Sequence, residues 1–222
     1  MPAQRKEGTI LWSPELAYVL GLIATDGCLS GDGRHIDFTS KDIELIETLK
    51  RCLKISNKIG KKYGGFSRPT ESYRVQFSNV IFYRWLLTIG LMPNKTKSIG
   101  ALKVSDDYFF DFLRGHIDGD GTIRRYFDPV YPNSLRVRVT FLSSSLEHLT
   151  WLWDNIRRLC NVGGFIRQSE RVYHLTFGKK DSLGLLSRIY QDPNSPRLYR
   201  KYLIIHDLLP AAHGQVVKWQ TR

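Results

Sequence analysis

The chain has 222 residues, of which 42% are hydrophobic and 24% charged, enough for one large domain or two small ones with a proper core. Against 33 Lys+Arg stand only 21 Asp+Glu, and the net charge of +12 favours a polyanionic partner. The longest apolar run, Leu16 to Ala24, falls far short of the roughly 20 residues that cross a bilayer, and MPAQRKEG has no apolar signal core, so nucleic acid is expected rather than a membrane.

Three cysteines, Cys28, Cys52 and Cys160, are odd in number, widely spaced and without a CxxC pair. They imply neither a disulfide framework nor a zinc site, and fit a reducing, intracellular compartment such as a prokaryotic cytoplasm or an organelle matrix.

In chain order, the first distinctive word is VLGLIATDG, Val19 to Gly27. Ala17, Gly21 and Thr25 lie four apart on one face of a helix that ends at Asp26-Gly27. HIDFTS (35–40) alternates as a strand, and Lys41 to Lys54 carries apolar residues at helical spacing. SYRVQFS (72–78) alternates again, followed by an apolar helix over 80–91. Pro93 and Asn94 break that helix, and Asp106 or Asp107 is placed to cap the next.

The second word, LRGHIDGDG, runs from Leu113 to Gly121, with Gly115 and Gly119 on one face. Asp120 lies 120 − 26 = 94 residues beyond Asp26. Strand material around 122–128, a strand over 135–144, a helix over 145–160, a strand over 171–177 and a helix over 181–190 follow. A last helix is expected around 197–209. DGDG does not open a calcium loop, because Ile123 holds the sixth position and Pro129 the twelfth.

Each half therefore reads αββαββα, which predicts a pseudo-twofold α+β protein made by duplication. The expected half-domains are 1–92 and 107–222, the latter with a C-terminal helix and tail, joined by a linker over 93–106. Small residues on each motif helix let the two pack closely. Asp26 and Asp120 then emerge side by side and need a cation to neutralise them, with Mg2+ the natural hard partner for oxygen ligands.

The strands predict a reading surface. Arg136, Arg138 and Thr140 share one face, opposite Val137, Val139 and Phe141. Arg74, Gln76 and Ser78 likewise oppose Tyr73, Val75 and Phe77. Such polar faces suit base edges in the major groove. Arg34, Arg171 and His174 are further candidates for DNA contact. Lys61, Lys62, Arg68, Arg124, Arg125, Arg167, Lys179 and Lys180 are assigned to turns, where phosphate contacts set register. Gln76 and Ser40 are candidates to organise water, and His116 is read as packing or phosphate-facing, not as a ligand.

FLRGHIDGDGTI (112–123) and YVLGLIATDGCL (18–29) together resemble the paired motif of the LAGLIDADG homing endonucleases in their single-chain form. The first copy departs mildly, with Ala24 where the motif often has an acid. The resemblance implies paired motif helices at the domain interface and two saddle-shaped antiparallel sheets, with helices on their backs, over the major groove. It implies a monomer that makes a staggered, Mg2+-dependent double-strand break in a long asymmetric duplex. Mn2+ is expected to substitute, and Ca2+ to bind without supporting cleavage. Asp26 and Asp120 would hold metal, helped by the backbone carbonyls of Thr25 and Gly119. Each half would also supply a basic catalytic helper. Lys97 is preferred over Lys95 in the first half, and Lys201 over Arg200 in the second. The alternative of the same fold is an intron maturase, which would bind intron RNA, or a sequence-specific DNA- or RNA-binding protein without cleavage.

Overall fold

The computed structural model describes residues 10–64 and 70–209. Helix α1 (Pro14–Asp26) starts where the Ser13 hydroxyl accepts the Leu16 N–H at 3.1 Å, with Pro14 supplying a preset φ in the first turn. Ala17 to Ala24 are all buried, so this helix is enclosed by protein rather than lying half in water. Strands β1 (Gly27–Leu29) and β2 (His35–Ser40) follow as a hairpin, then α2 (Ile43–Leu53), β3 (Ile59–Gly64), β4 (Thr70–Ser78) and α3 (Val80–Ile89).

The second half repeats the plan. It runs α4 (Phe109–Gly119), β5 (Thr122–Phe127), β6 (Leu135–Ser143), α5 (Leu146–Cys160), β7 (Phe165–Ser169), β8 (Val172–Phe177) and α6 (Lys179–Ile189). Both sheets are antiparallel and four-stranded, with orders β1-β2-β4-β3 and β5-β6-β8-β7. The expected αββαββα duplication is thus what the chain folds into. Ile36, Phe38, Val75 and Phe77 point from the first sheet into the core beneath α2 and α3. Val137, Val139, Phe141 and Leu175 do the same beneath α5 and α6, and one apolar cluster runs through both halves. Among the described residues no helix is long and apolar enough to cross a membrane.

Two local expectations are corrected. Neither Asp106 nor Asp107 caps α4. Asp106 sits in a 3-10 turn (Asp106–Tyr108) and binds Arg158 through both carboxylate oxygens at 2.6 Å. The segment over 93–106 is packed into the structure, with Lys95, Ile99 and Leu102 buried. The single helix expected over 197–209 is instead one short turn, α7 (Tyr199–Tyr202), and a 3-10 turn (His206–Leu208). The Leu198 N–H is taken by the Asp118 carboxylate at 2.7 Å, so the chain stays extended up to α7. Beyond it, i→i+3 bonds such as Ile205 N–H to the Tyr202 carbonyl, 3.1 Å, tighten the chain.

Candidate active site

The site begins with two glycines. At the crossing of α1 and α4, a methyl group on Gly21 would lie 2.6 Å from the His116 nitrogen and 2.9 Å from the Gly115 carbonyl carbon. One on Gly115 would run into the Tyr18 carbonyl and lie 3.1 Å from the Leu22 nitrogen. These two residues are themselves 115 − 21 = 94 apart, the spacing of the aspartates. Backbone meets backbone there, which fixes where both helices end. Thr25 bonds back to the Leu22 carbonyl at 2.9 Å, and a methyl group on Gly119 would meet its side chain and come 3.2 Å from Asp26 Oδ2. The carboxylate of Asp26 therefore reaches the end of α4, where Asp120 is the first residue past the helix.

Two lysines close the site from below. Lys95 donates to the carbonyls of Thr25, at 3.3 Å, and Gly27. Lys201 donates to those of Ile117, Asp118, Gly119 and Gly121, the last three at 2.9, 3.1 and 2.8 Å. Thr25 and Gly27 are the motif counterparts of Gly119 and Gly121, so the two ammonium groups grip equivalent carbonyls. A helix C-terminus leaves carbonyls without partners and carries partial negative charge, and each lysine answers both needs. Both lysines are only 6% exposed. Burial pulls each pKa down, and nearby acids, Asp26 among them, hold it up.

The acids feel the opposite balance. Burial, then the charge of Asp120, pushes Asp26 up to about 7, against the pull of Lys201 and Lys95. Asp120, more open to solvent, is also raised by desolvation and lowered by the same lysines. Two carboxylates that ionise reluctantly form a site short of positive charge, and hard oxygen donors suit Mg2+. Among the described residues no cluster of three or more His, Cys, Asp or Glu forms an all-protein metal cage. The donors would be the two carboxylates and the Thr25 and Gly119 carbonyls, each with a lone pair beyond the one its lysine uses. Such a sparse set fits an ion that keeps several waters. A cavity of about 260 Å3 beside Asp120, lined by Thr25, Lys95, His116, Ser143 and His148, has room for them.

The family model described as a LAGLIDADG-like domain matches residues 13–89. The homing endonuclease I-WcaI, solved bound to its DNA recognition sequence, superposes with a TM-score of 0.63 at 14% identity, over 90% of this chain and 89% of that one. Residues 13–89 thus match a LAGLIDADG-like domain, and the chain as a whole, with its two equivalent halves, shares the fold of I-WcaI. Mesophilic variants of the homing endonuclease I-DmoI share the fold at a TM-score of 0.55 and 18% identity, covering 87% of this chain and 97% of that one. So does full-length DUF199/WhiA from Thermatoga maritima, at 0.54 and 18%, covering 95% and 66%. No curated protein matches the chain by sequence.

The structure separates the two lysines weighed as the basic helper of the first half. Lys97 is exposed, whereas Lys95, two residues earlier, is buried against the motif. In the second half Lys201 is buried against the motif end, while Arg200 points away and binds Asp42 through both oxygens at 2.6 and 2.8 Å. Lys61 and Lys62 lie on β3, Arg124 and Arg125 on β5, and Arg167 on β7, not in turns. All three are edge strands, where both faces accept charge and strict alternation lapses. Lys179 and Lys180 open α6. Arg34 sits in the β1–β2 bend, 3.6 Å from Asp32, and Arg171 in the β7–β8 turn. Arg68 lies outside the described residues.

Arg138, Arg124, Thr140 and His174 line one open pocket of about 290 Å3 with Thr122 and Thr176. Arg125 is held by Asp207 at 2.7 Å and Arg136 by Asp128 at 2.8 Å. Ser40 accepts the Asp42 N–H at 3.1 Å, ahead of α2, instead of facing the acids. His116 packs, as expected. Its Nε2 lies 3.1 Å from His148 Nε2, and burial holds both rings neutral, with His148 near 4.

Asp118 went unread in the sequence. Fully buried, it accepts from the Tyr18 hydroxyl at 2.9 Å and from the Leu198 N–H, tying the Lys201 segment to α4. Burial raises its pKa to about 6. Its signal was the mismatch between copies, since it occupies the place of Ala24.

Proposed function

We propose that this chain is a site-specific DNA endonuclease that cuts both strands of a long, asymmetric duplex with the help of Mg2+. The observation that carries this reading is the meeting of Asp26 and Asp120 at one seam, each above a buried lysine. I-DmoI, which shares the fold, has been solved with DNA and Mn and with DNA and Ca, which supports the use of a divalent ion. When bound, the ion would polarise the scissile phosphate and lower the pKa of an attacking water.

The chain's own residues do the rest. Asp26 and Asp120 would hold the ion through their carboxylate oxygens. Lys95 and Lys201 fix the carbonyls of Thr25 and Gly119 and offset the negative charge that gathers there. Arg74, Gln76, Arg138 and His174 face outward from the sheets toward the duplex. The proposal extends to a monomer in a reducing, intracellular compartment, in keeping with the free thiols of Cys28, Cys52 and Cys160.

The test is a plasmid carrying the rejoined DNA that flanks the gene. With Mg2+, wild type should linearise it, and Asp26→Asn or Asp120→Asn should slow cutting on the order of 10^3-fold, several kcal/mol of barrier. Both variants should still shift the duplex in Ca2+. Undiminished cutting by either variant would sink the reading. Binding of the duplex without nicking by wild type would select the alternative, a non-cleaving binding protein of the same fold.

A further inference from the structure

The two sheets present unlike rows of side chains next to the paired acids. Cys28, Asp37 and Gln76 stand opposite one another across β1, β2 and β4. The matching row in the second half is Thr122, Thr140 and Thr176, across β5, β6 and β8. Each row starts two residues after its motif aspartate, so the rows are equivalent. In the threonine row, the hydroxyls of Thr140 and Thr176 approach to 3.4 Å.

The first row is built differently. Arg74 donates its Nε–H to Asp37 Oδ1 and an Nη2–H to Oδ2 at 2.7 Å, while Gln76 donates from Nε2 to Oδ2 at 3.1 Å. All three face outward, because the alternate residues Ile36, Phe38, Val75 and Phe77 fill the core. Gly60, opposite Arg74 on β3, adds no side chain that would cover it.

An acid on a surface facing phosphates weakens binding, so its presence there calls for a second effect. Asp37 engages two of the five N–H groups of Arg74 and one of the two on Gln76. The guanidinium keeps a free pair of N–H donors, the match for O6 and N7 of guanine. Gln76 keeps an N–H beside its Oε1, the match for N7 and N6 of adenine. Threonine hydroxyls both donate and accept, and so discriminate less.

We propose that Asp37 is a specificity-determining residue that fixes Arg74 and Gln76 for reading a purine step in the major groove of the first half-site. The second half-site, met by threonines at the same place, is read more loosely. This rests on the DNA reading above. Holding the two readers in place beforehand lowers the entropy lost on binding and penalises a wrong base through a rigid fork.

The experiment selects duplexes from a randomised library with the full chain in calcium buffer, for wild type, Asp37→Ala and Asp37→Asn. Wild type should enrich a guanine–adenine step in one half-site only. Asp37→Ala should lose about tenfold or more of that preference, keep the rest of its profile, and bind random duplex more tightly, since a repelling charge is gone. Asp37→Asn, which keeps the shape and one acceptor, should fall between. A profile unchanged in both variants overturns the proposal. So does uniform weakening on every duplex, which would make Asp37 a brace of the sheet. Enrichment of no duplex by wild type overturns the DNA reading itself, and this inference with it.

Discussion

The two halves hold their motif ends by the same device built to different strengths. Lys95 reaches up from the segment that leaves α3 and grips two carbonyls, while Lys201 reaches up from the segment that leaves α6 and grips four. Asp118 reinforces only the second grip, through the Leu198 N–H. Asp26 in turn is the more enclosed acid and Asp120 the more open one. The four groups take matching places around the seam, and the two halves differ in how firmly each is held.

The sharpest way to break that comparison is at the helix crossing. Gly115→Ala and Gly21→Ala should each destabilise by about 3 kcal/mol, because the added methyl meets backbone that cannot rotate away. Since the two positions touch, the double variant should cost less than the sum of the singles. Urea unfolding of the four proteins decides it, and strictly additive losses would mean that the helices do not meet there. One step down in size, Lys201→Met should cost about 2–3 kcal/mol and Lys95→Met about 1–2, in proportion to the carbonyls left without a donor. Equal losses would remove the asymmetry.

The acids give an effect with a definite sign. The raised pKa of Asp26, about 7 against an ordinary carboxylate value, means the folded state holds a proton that the unfolded state has released. Without metal, this group's contribution to stability is therefore full below about pH 4 and is lost as pH rises toward 7. Asp26→Asn should flatten that loss and melt above wild type at pH 8 in EDTA, whereas Mg2+ should raise the melting point of wild type alone. Asp120→Asn should act in the same direction and more weakly. The buried histidines slope the opposite way below pH 6.5, so the comparison is the difference between variant and wild type across the pH range.

The repeat made most of the fold and both aspartates legible. Helix ends and alternating strands recur at one spacing, and a helix that ends at Asp-Gly aims its acid by geometry alone. The lysines were not legible in the same way. Lys95 lies 95 − 26 = 69 residues after its aspartate and Lys201 lies 201 − 120 = 81 after its own, so the spacing that aligns the motifs does not align their supports. Both sit in connecting segments without periodicity, where the choice of inward residue depends on tertiary contacts. Asp37 was hidden for a related reason. The alternation of HIDFTS shows that it faces outward, but its partners Arg74 and Gln76 are 37 and 39 residues away and meet it only across the strands.

The smallest expected effect concerns how the halves are tied together at the rim. Arg200 of α7 binds Asp42, ahead of α2, and the Tyr199 N–H bonds Glu44 at 3.0 Å, so the end of the second half reaches over the first. The ion pair lowers the pKa of Asp42 through its hydrogen bonds to Arg200. Its side chains are nevertheless 58% and 26% exposed, and solvent and salt screen such a contact. Arg200→Ala should cost less than about 1 kcal/mol, shrinking further at 1 M salt. Cutting should persist, because the lysine one residue on still grips α4 from the buried side. A loss as large as that of Lys201→Met would show that the rim contact, rather than the buried ammonium, positions the second aspartate.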